Sequence, residues 1–405
     1  MSASASKLVH VVGGGFNQIP LVEKAKAMGF RVLVTDMNEA PPARSLADHF
    51  ERIDTTDQFN TLRCAERYRI NYVLTDQTDV AVPTVAFVAE SLGLPGIGYE
   101  TALRFTNKYV MRKAMTGAGL GAHNPENQYF NRAELALVFC QGLERCYDYL
   151  VKPINSQGSK GVFVLSKRKG DLERLVYDAF RESQDRGVLV EKFIRGLEYS
   201  VETFVRDRKV HSLTLTKKYH YAHNPCLDER NTFLGDVAPE LEQAMFSVNE
   251  MIIQGLGLEF GLTHAEYKIE NGQVYLMEIA ARGAGGSISS KIIPYLTDFD
   301  CTEALLNVVT GRPFEIKVND YKRKFAVLKF CNFEPGRVKR VLVNERAIRD
   351  VLVFTLDIKE GMTLVRPRDS RDRPGYFVVY GTDRDAVLQK ERAVEAAVQV
   401  EYGWN

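Results

Sequence analysis

Leu262-Thr-His-Ala-Glu-Tyr-Lys-Ile-Glu-Asn-Gly-Gln-Val-Tyr-Leu-Met-Glu-Ile-Ala-Ala-Arg282 reads as two strand arms folded about Glu270-Asn271-Gly272. Glu266 and Glu278 lie on opposite arms. With a three-residue loop that puts Gly272 in the left-handed region, Glu266 opposes Leu276 and Glu278 opposes His264. Both carboxylates then share one face as diagonal neighbours. A two-residue Asn271-Gly272 turn would send them to opposite faces. The odd loop also groups His264, Glu266, Lys268 and Glu278 against Ala265, Tyr267, Tyr275, Met277 and Ile279, the second set reading as a core face. Val274, Leu276 and Ala280 fall on the polar side. Two carboxylates on one sheet face repel unless a cation lies between them, and oxygen-only ligands of this kind suit Mg²⁺ carrying a nucleotide phosphate. Arg282 ends the second arm and opens the anion-friendly run Gly283-Ala-Gly-Gly-Ser287.

Upstream, Ile154-Asn-Ser-Gln-Gly-Ser-Lys-Gly161 sits between Tyr149–Lys152 and Gly161–Leu165, both strand-like. A glycine- and serine-rich loop of this kind can turn its N–H groups toward a polyphosphate, and Lys152 adds a point charge. No Gly-Lys-Ser/Thr opens a helix here, so it is not a Walker loop. Val190-Glu-Lys-Phe-Ile194 followed by Glu198 offers a strand edge and a carboxylate, groups that can read an adenine and a ribose. Lys217-Lys-Tyr-His-Tyr-Ala-His-Asn224 crowds two lysines and two histidines into one surface loop, which points to substrate contact at Lys217, Lys218, His220 and His223.

The first hundred residues alternate strand and helix, which predicts a parallel sheet with crevice loops at Gly13–Gly15, Asp36–Pro42 and Asp76–Asp79. Gly13-Gly-Gly-Phe-Asn-Gln18 approaches a dinucleotide fingerprint, but Gln18 stands where the third glycine belongs. We read Gly14 and Gly15 as a substrate-side turn. Antiparallel hairpins follow from about residue 149, and short strands with a helix over Arg384–Val400 fill the region after Lys317.

Size and charge bound the rest. At roughly 100–200 residues per domain, 405 residues predict two to four domains. The chain holds 53 Lys+Arg against 52 Asp+Glu, net +1, which excludes a strongly basic nucleic-acid footprint. No stretch is apolar enough to span a membrane, and the first six residues lack the pattern of a signal peptide. Cysteines 64, 140, 146, 226, 301 and 331 form no CxxC pair and read as reduced core thiols of a cytoplasmic protein.

Taken in order, these elements resemble the ATP-grasp superfamily, in the layout of biotin carboxylase, N5-carboxyaminoimidazole ribonucleotide synthetase and the amino-acid ligases. The resemblance implies an α/β chain in three parts. These are an N-terminal parallel-sheet domain over 1–106, a two-part nucleotide-binding domain over 107–314 with a lid at about 120–190, and an α+β domain over 315–405. By the same resemblance ATP is held by Lys108, Lys152, the lid residues Ser156, Gly158, Ser159 and Gly161, the hinge Glu191, Lys192, Phe193 and Ile194, and Glu198 at the ribose. Mg²⁺, or Mn²⁺, is held by Glu266 and Glu278. Arg282 and Lys152 serve catalysis, and Ser287 and Arg282 reach toward substrate. One position departs from the pattern: Ala280 stands where the family often has a metal-binding Asn. The implied activity is an ATP-dependent carboxylate–amine ligase working through an acyl phosphate on small-molecule substrates, with a homodimer left open. The alternatives are a carboxylase that activates bicarbonate, a nucleotide-dependent oxidoreductase built on Gly13–Gly15, and a non-catalytic nucleotide binder.

Overall fold

A computed structural model describes residues 6–145, 148–166 and 171–403. Cys146 lies outside them, and Cys64, Cys226, Cys301 and Cys331 are free thiols. Among the described residues no helix is long and apolar enough to cross a membrane.

Four short strands, β1 (Leu8–Val12), β2 (Arg31–Asp36), β3 (His49–Arg52) and β4 (Tyr72–Leu74), form a parallel sheet in the order β3-β2-β1-β4. β1 is buried throughout and β2 at its four central positions, as a sheet covered on both faces requires. The expected parallel domain is present.

A second sheet, ordered β5-β8-β6-β7, comprises β5 (Asn127–Phe130), β6 (Tyr149–Pro153), β7 (Phe163–Val164) and β8 (Val188–Lys192). All its pairings are antiparallel. It carries its own apolar cluster, with Val151, Val188 and Val190 against Ala136 and Val176 of the two helices that pack on it. Residues 156–161, read as a lid, emerge from this layer.

The third sheet has eight strands. β9 (Glu198–Arg206), β10 (Lys209–Tyr221), β11 (Asn224–Phe233), β12 (Gly261–Glu270) and β13 (Gln273–Ala280) are followed by β14 (Phe325–Phe330). β15 (Gly336–Val343), β17 (Thr363–Leu364) and β19 (Val398–Tyr402) form a separate three-stranded sheet. β16 (Val353–Leu356) and β18 (Gly375–Gly381) complete the large one, ordered β13-β12-β9-β10-β11-β14-β18-β16. One apolar cluster joins residues of this sheet, including Val201, Phe204, Ala265 and Tyr267, to the Pro239–Leu256 and Cys301–Thr310 helices and to Val9 and Val11 of β1. The sheet runs without a break across the 314/315 boundary read from sequence, because β11 pairs directly with β14.

Three local expectations change. The last helix ends at Glu395 and the chain re-enters as β19, so Arg384–Val400 is not one helix. The 217–224 segment is strand on both sides of a tight connection, not an open loop. The decisive hairpin also turns differently. Glu270 pairs with Gln273 across a two-residue Asn271-Gly272 turn, with φ of 53° and 78°, the left-handed pair that this dipeptide favours.

Candidate active site

That turn alone would split the two carboxylates. Yet Glu266 pairs directly with Glu278, while the next pair is Tyr267 with Leu276. Met277 is left over as a β-bulge, and the extra residue flips the strand's facing from there on. The bulge, not the loop, brings Glu266 and Glu278 onto one face. It also exchanges two assignments: Val274 and Leu276 are buried in the core with Ala265, Tyr267 and Ile279, whereas Met277 lines the site.

The shared face floors a cavity of about 160 Å³. Glu266 takes an ion pair from Lys218 and a 3.2 Å contact from His264 Nε2. Glu278 accepts from Lys108 Nζ at 2.8 Å. Side-chain exposure is 23% for Glu266 and 28% for Glu278, so both are shielded by these partners and do not form a solvated face. His264 Nδ1 meets Glu202 at 2.6 Å. Burial pulls its pKa down, but the charges and hydrogen bonds of Glu202 and Glu266 outweigh that and hold it at about 9.

Lys108 begins a helix, Lys108–Gly117, whose start is fixed by Asn107: its side chain accepts from the Tyr109 and Val110 N–H groups. Lys108 Nζ also donates to the Ser156 carbonyl at the lid's root. Lys152 reaches Glu191 at 2.6 Å, and Glu191 in turn binds Arg112 Nε at 2.8 Å. Although burial opposes ionisation, Arg112 and Lys152 hold the Glu191 carboxyl down to about 2. Glu191 is thus an internal counter-ion, with its neighbours Phe193 and Ile194 lining the cavity. Lys192 lines it too but pairs outward with Glu270 at 3.2 Å. Glu198, read as a ribose ligand, is engaged by Lys218 at 3.1 Å, His220 at 3.0 Å and Lys268 at 3.5 Å.

The lid lies against three different segments. Gln157 Oε1 accepts from the Asp79 N–H at 3.0 Å, the Gly158 carbonyl from Ser370 N at 3.1 Å, and Ser159 Oγ donates to the Cys226 carbonyl at 2.6 Å. Ser156, Gly158 and Ser159 line the cavity, while Gly161 packs on Pro153 and Glu182. Arg282 holds Asp79 in a fork, Nε–Oδ1 at 2.8 Å and Nη2–Oδ2 at 3.0 Å. Gly283 next to it donates to Asp76 at 2.8 Å, and a Cβ there would lie 2.6 Å from Ser289 Oγ, so the site tolerates only glycine.

The substrate candidates divide. Lys218 lines the cavity and His220 abuts it through Glu198. Lys217 points away to Asp236 at 3.0 Å, and His223 meets the Pro367 carbonyl at 2.9 Å. Gly14 and Gly15 spend their N–H groups on Asp36 and Gln18, so these two donors are already engaged. Ser287 Oγ sits 2.8 Å from the Tyr376 hydroxyl. The sequence reading passed over Arg112, Glu202 and Asp228, and placed Lys268 on the polar face without giving it a role. Only Arg112 carried a signal, its one-turn spacing from Lys108 on a capped helix.

Chemically, the cavity gathers lysines and an arginine around two opposed carboxylates, the furnishing of a phosphate site with a hard cation. Among the described residues no three His, Cys, Asp or Glu side chains converge as a metal cage. A cation here would draw its remaining ligands from phosphate or water, as Mg²⁺ commonly does. The residues therefore fit Mg²⁺ with a polyphosphate: Glu266 and Glu278 would hold the ion once released from Lys218 and Lys108.

Comparison with known proteins follows the same lines. Residues 146–291 match the ATP-grasp domain model, and residues 329–403 match the L-amino acid ligase C-terminal domain 2 model. The phosphoribosylamine–glycine ligase of Thermococcus gammatolerans is 22% identical over 390 residues, spanning 89% of this chain and 86% of that protein. The L-arginine-specific L-amino acid ligase of Bacillus subtilis is 22% identical over 252 residues, 60% of this chain and 58% of that protein. Among solved structures, an L-amino acid ligase from Bacillus licheniformis superposes with a TM-score of 0.79 at 20% identity, covering 98% of this chain and 99% of that one. The N5-carboxyaminoimidazole synthetase of Staphylococcus aureus complexed with ADP gives 0.71 at 17%, covering 96% and 97%.

Proposed function

Because this chain belongs to the ATP-grasp superfamily, we propose that it is an ATP-dependent carboxylate–amine ligase acting on small molecules. The observation that carries this reading is the directly opposed Glu266–Glu278 pair on a floor ringed by Lys108, Lys152, Lys218 and Arg282. The overall reaction joins a carboxylate to an amine through an acyl phosphate, releasing ADP and phosphate. Bound at Glu266 and Glu278, Mg²⁺ or Mn²⁺ would supply charge neutralisation along the phosphates.

The chain's own part follows from its geometry. Lys108 and Lys152 neutralise phosphate oxygens and Phe193–Ile194 offer an apolar seat for the base. Glu198, set among its cations, takes the ribose after exchanging one of them. Arg282, oriented by Asp79, stabilises negative charge on the group in transfer. An acyl phosphate is lost to water, so residues 156–161 must exclude it, and their contacts with residues 79, 226 and 370 support that task. The match of residues 329–403 to an amino-acid-ligase domain favours an amino acid as one substrate. A cytoplasmic location and a homodimer go with this reading.

An ADP-release screen of amino acids and other carboxylic acids, crossed with amines, tests it. ADP formed only when acid and amine are both present supports the ligase. ADP formed with bicarbonate in place of the acid replaces it with a carboxylase, and no ADP from any pair refutes both.

A further inference from the structure

The Met277 bulge decides which way Glu278 faces, and a bulge needs something to hold it. Inserting a residue leaves a backbone group outside the ladder, and a buried carbonyl without a donor is costly. Here the Met277 carbonyl accepts from Arg112 Nη2 at 2.9 Å and from Lys152 Nζ at 3.3 Å. Arg112 is 2% exposed. Its Nε and Nη2 also take both oxygens of Glu191, at 2.8 and 3.4 Å. One guanidinium therefore ties the bulge to β8 and, through Glu191, to Lys152.

The helix that carries it makes the arrangement specific. Lys108 and Arg112 are one turn apart and project from the same side of the Lys108–Gly117 helix. They engage consecutive residues of β13: Arg112 the Met277 carbonyl, Lys108 the Glu278 carboxylate. Without the bulge, the Asn271-Gly272 turn dictates a ladder in which Glu266 opposes Met277 and Glu278 turns to the apolar face. Lysine could not replace arginine here, since only a planar fork reaches a carboxylate and a carbonyl together.

We propose that Arg112 is a positioning residue: it holds the Met277 bulge and so keeps Glu278 on the face that Glu266 occupies. This rests on the ligase reading for its consequence, not for its geometry.

Amide hydrogen exchange on the full chain, without nucleotide, reads the geometry, and calorimetric titration with MgADP reads the consequence. Arg112→Lys is expected to speed exchange at residues 274–280 about tenfold, leave β10 at the wild-type rate, and weaken MgADP about tenfold. Deleting Met277 provides a second background, because every flanking pair stays in register with Glu266 still opposite Glu278. There Arg112→Lys should no longer change exchange at the hairpin. The proposal is overturned if Arg112→Lys lowers the melting temperature while hairpin exchange and MgADP affinity hold. It is equally overturned if the substitution loosens the hairpin as much in the deletion background as in the wild type. A wild-type chain that binds no MgADP would sink the ligase reading alone, and the exchange measurements would still decide on Arg112.

Discussion

The parallel sheet β1–β4 and the eight-stranded sheet are filled in opposite ways. At the centre of the first lie Val9, Val11, Leu33 and Val34, with His10 and Thr35 as polar residues among them. On one face of the second lie Glu198, Glu202, Lys218, His264, Glu266, Lys268 and Glu278, each held by opposite charge. Buried ion pairs are weak evidence for stability, since desolvation offsets most of their attraction. The charged face therefore needs another reason to exist. On the ligase reading its pairs are there to be exchanged: a metal would take the place of a cation at a carboxylate, and a phosphate that of an anion at a lysine. On that reading the first sheet holds the chain folded and the second would hold a ligand site in readiness.

The largest expected effect tests that division directly. Glu278→Gln should lower ligase turnover about a thousandfold or more, because the charge it removes is aimed at the reacting groups. Its melting temperature should move little, since Lys108 keeps the Ser156 carbonyl as acceptor. A variant that keeps full turnover would end the assignment of this face to catalysis. Val11→Ala, at the 0%-exposed centre of β1, should do the reverse. It should cost about 2–3 kcal/mol of stability in denaturant unfolding, with kcat unchanged well below the midpoint. If Val11→Ala cut turnover as Glu278→Gln does, the two sheets would not be separable in role.

The segment read as a lid sharpens the comparison, because Ser156, Gly158 and Ser159 line the cavity over the charged face. Gly158 has φ of +66°, and an added Cβ would lie 2.2 Å from Ser370 Oγ. Gly158→Ala meets both a backbone cost of roughly 1–2 kcal/mol and that clash. Turnover should fall about twentyfold while stability stays put, and protease nicking within 156–161 should become insensitive to Mg·ATP. Unchanged turnover would mean that the contact with Ser370 is not needed for closure.

How much of this was legible in advance depended on whether the signal was local. The β-α alternation, the lid and the pair Glu266 and Glu278 are written in short stretches, and the structure brings Lys108, Lys152, Glu266, Glu278 and Arg282 to one cavity. The route to that cavity was misread at the hairpin. Asn271-Gly272 announced a two-residue turn, and the functional demand for one face forced an odd loop onto it. The register was corrected by Met277, the fifth residue of the strand, through a contact with Arg112 that is 165 residues away in sequence. No periodicity encodes such a contact. The surroundings of Glu198 and Glu191 were hidden for a related reason: their counter-ions arrive from β10 and from the Lys108–Gly117 helix, so a carboxylate that looks available in sequence is already engaged.

The smallest expected effect compares the same residue type in both sheets. His10 lies in β1, 0% exposed, with Nε2 2.9 Å from Thr35 Oγ1 and Nδ1 without a partner. Burial alone lowers its pKa to about 3. His264, on the charged face, is held at about 9. The unfolded chain protonates histidine near 6.5. Below that pH the unfolded state binds a proton that folded His10 refuses, so its contribution to stability falls as pH drops from about 6.5 toward 3. His264 has the opposite sign: its contribution is complete below about 6.5 and is lost as pH rises through about 9. Between pH 6.5 and 5.5, wild type should lose about 1 kcal/mol of unfolding free energy relative to His10→Leu, measured by urea titration at each pH. Because the difference is taken between pH values, whatever His10→Leu costs by packing cancels. Parallel pH profiles for the two proteins would mean that His10 takes up its proton without unfolding, and that the first sheet is less sealed than its aliphatic filling implies.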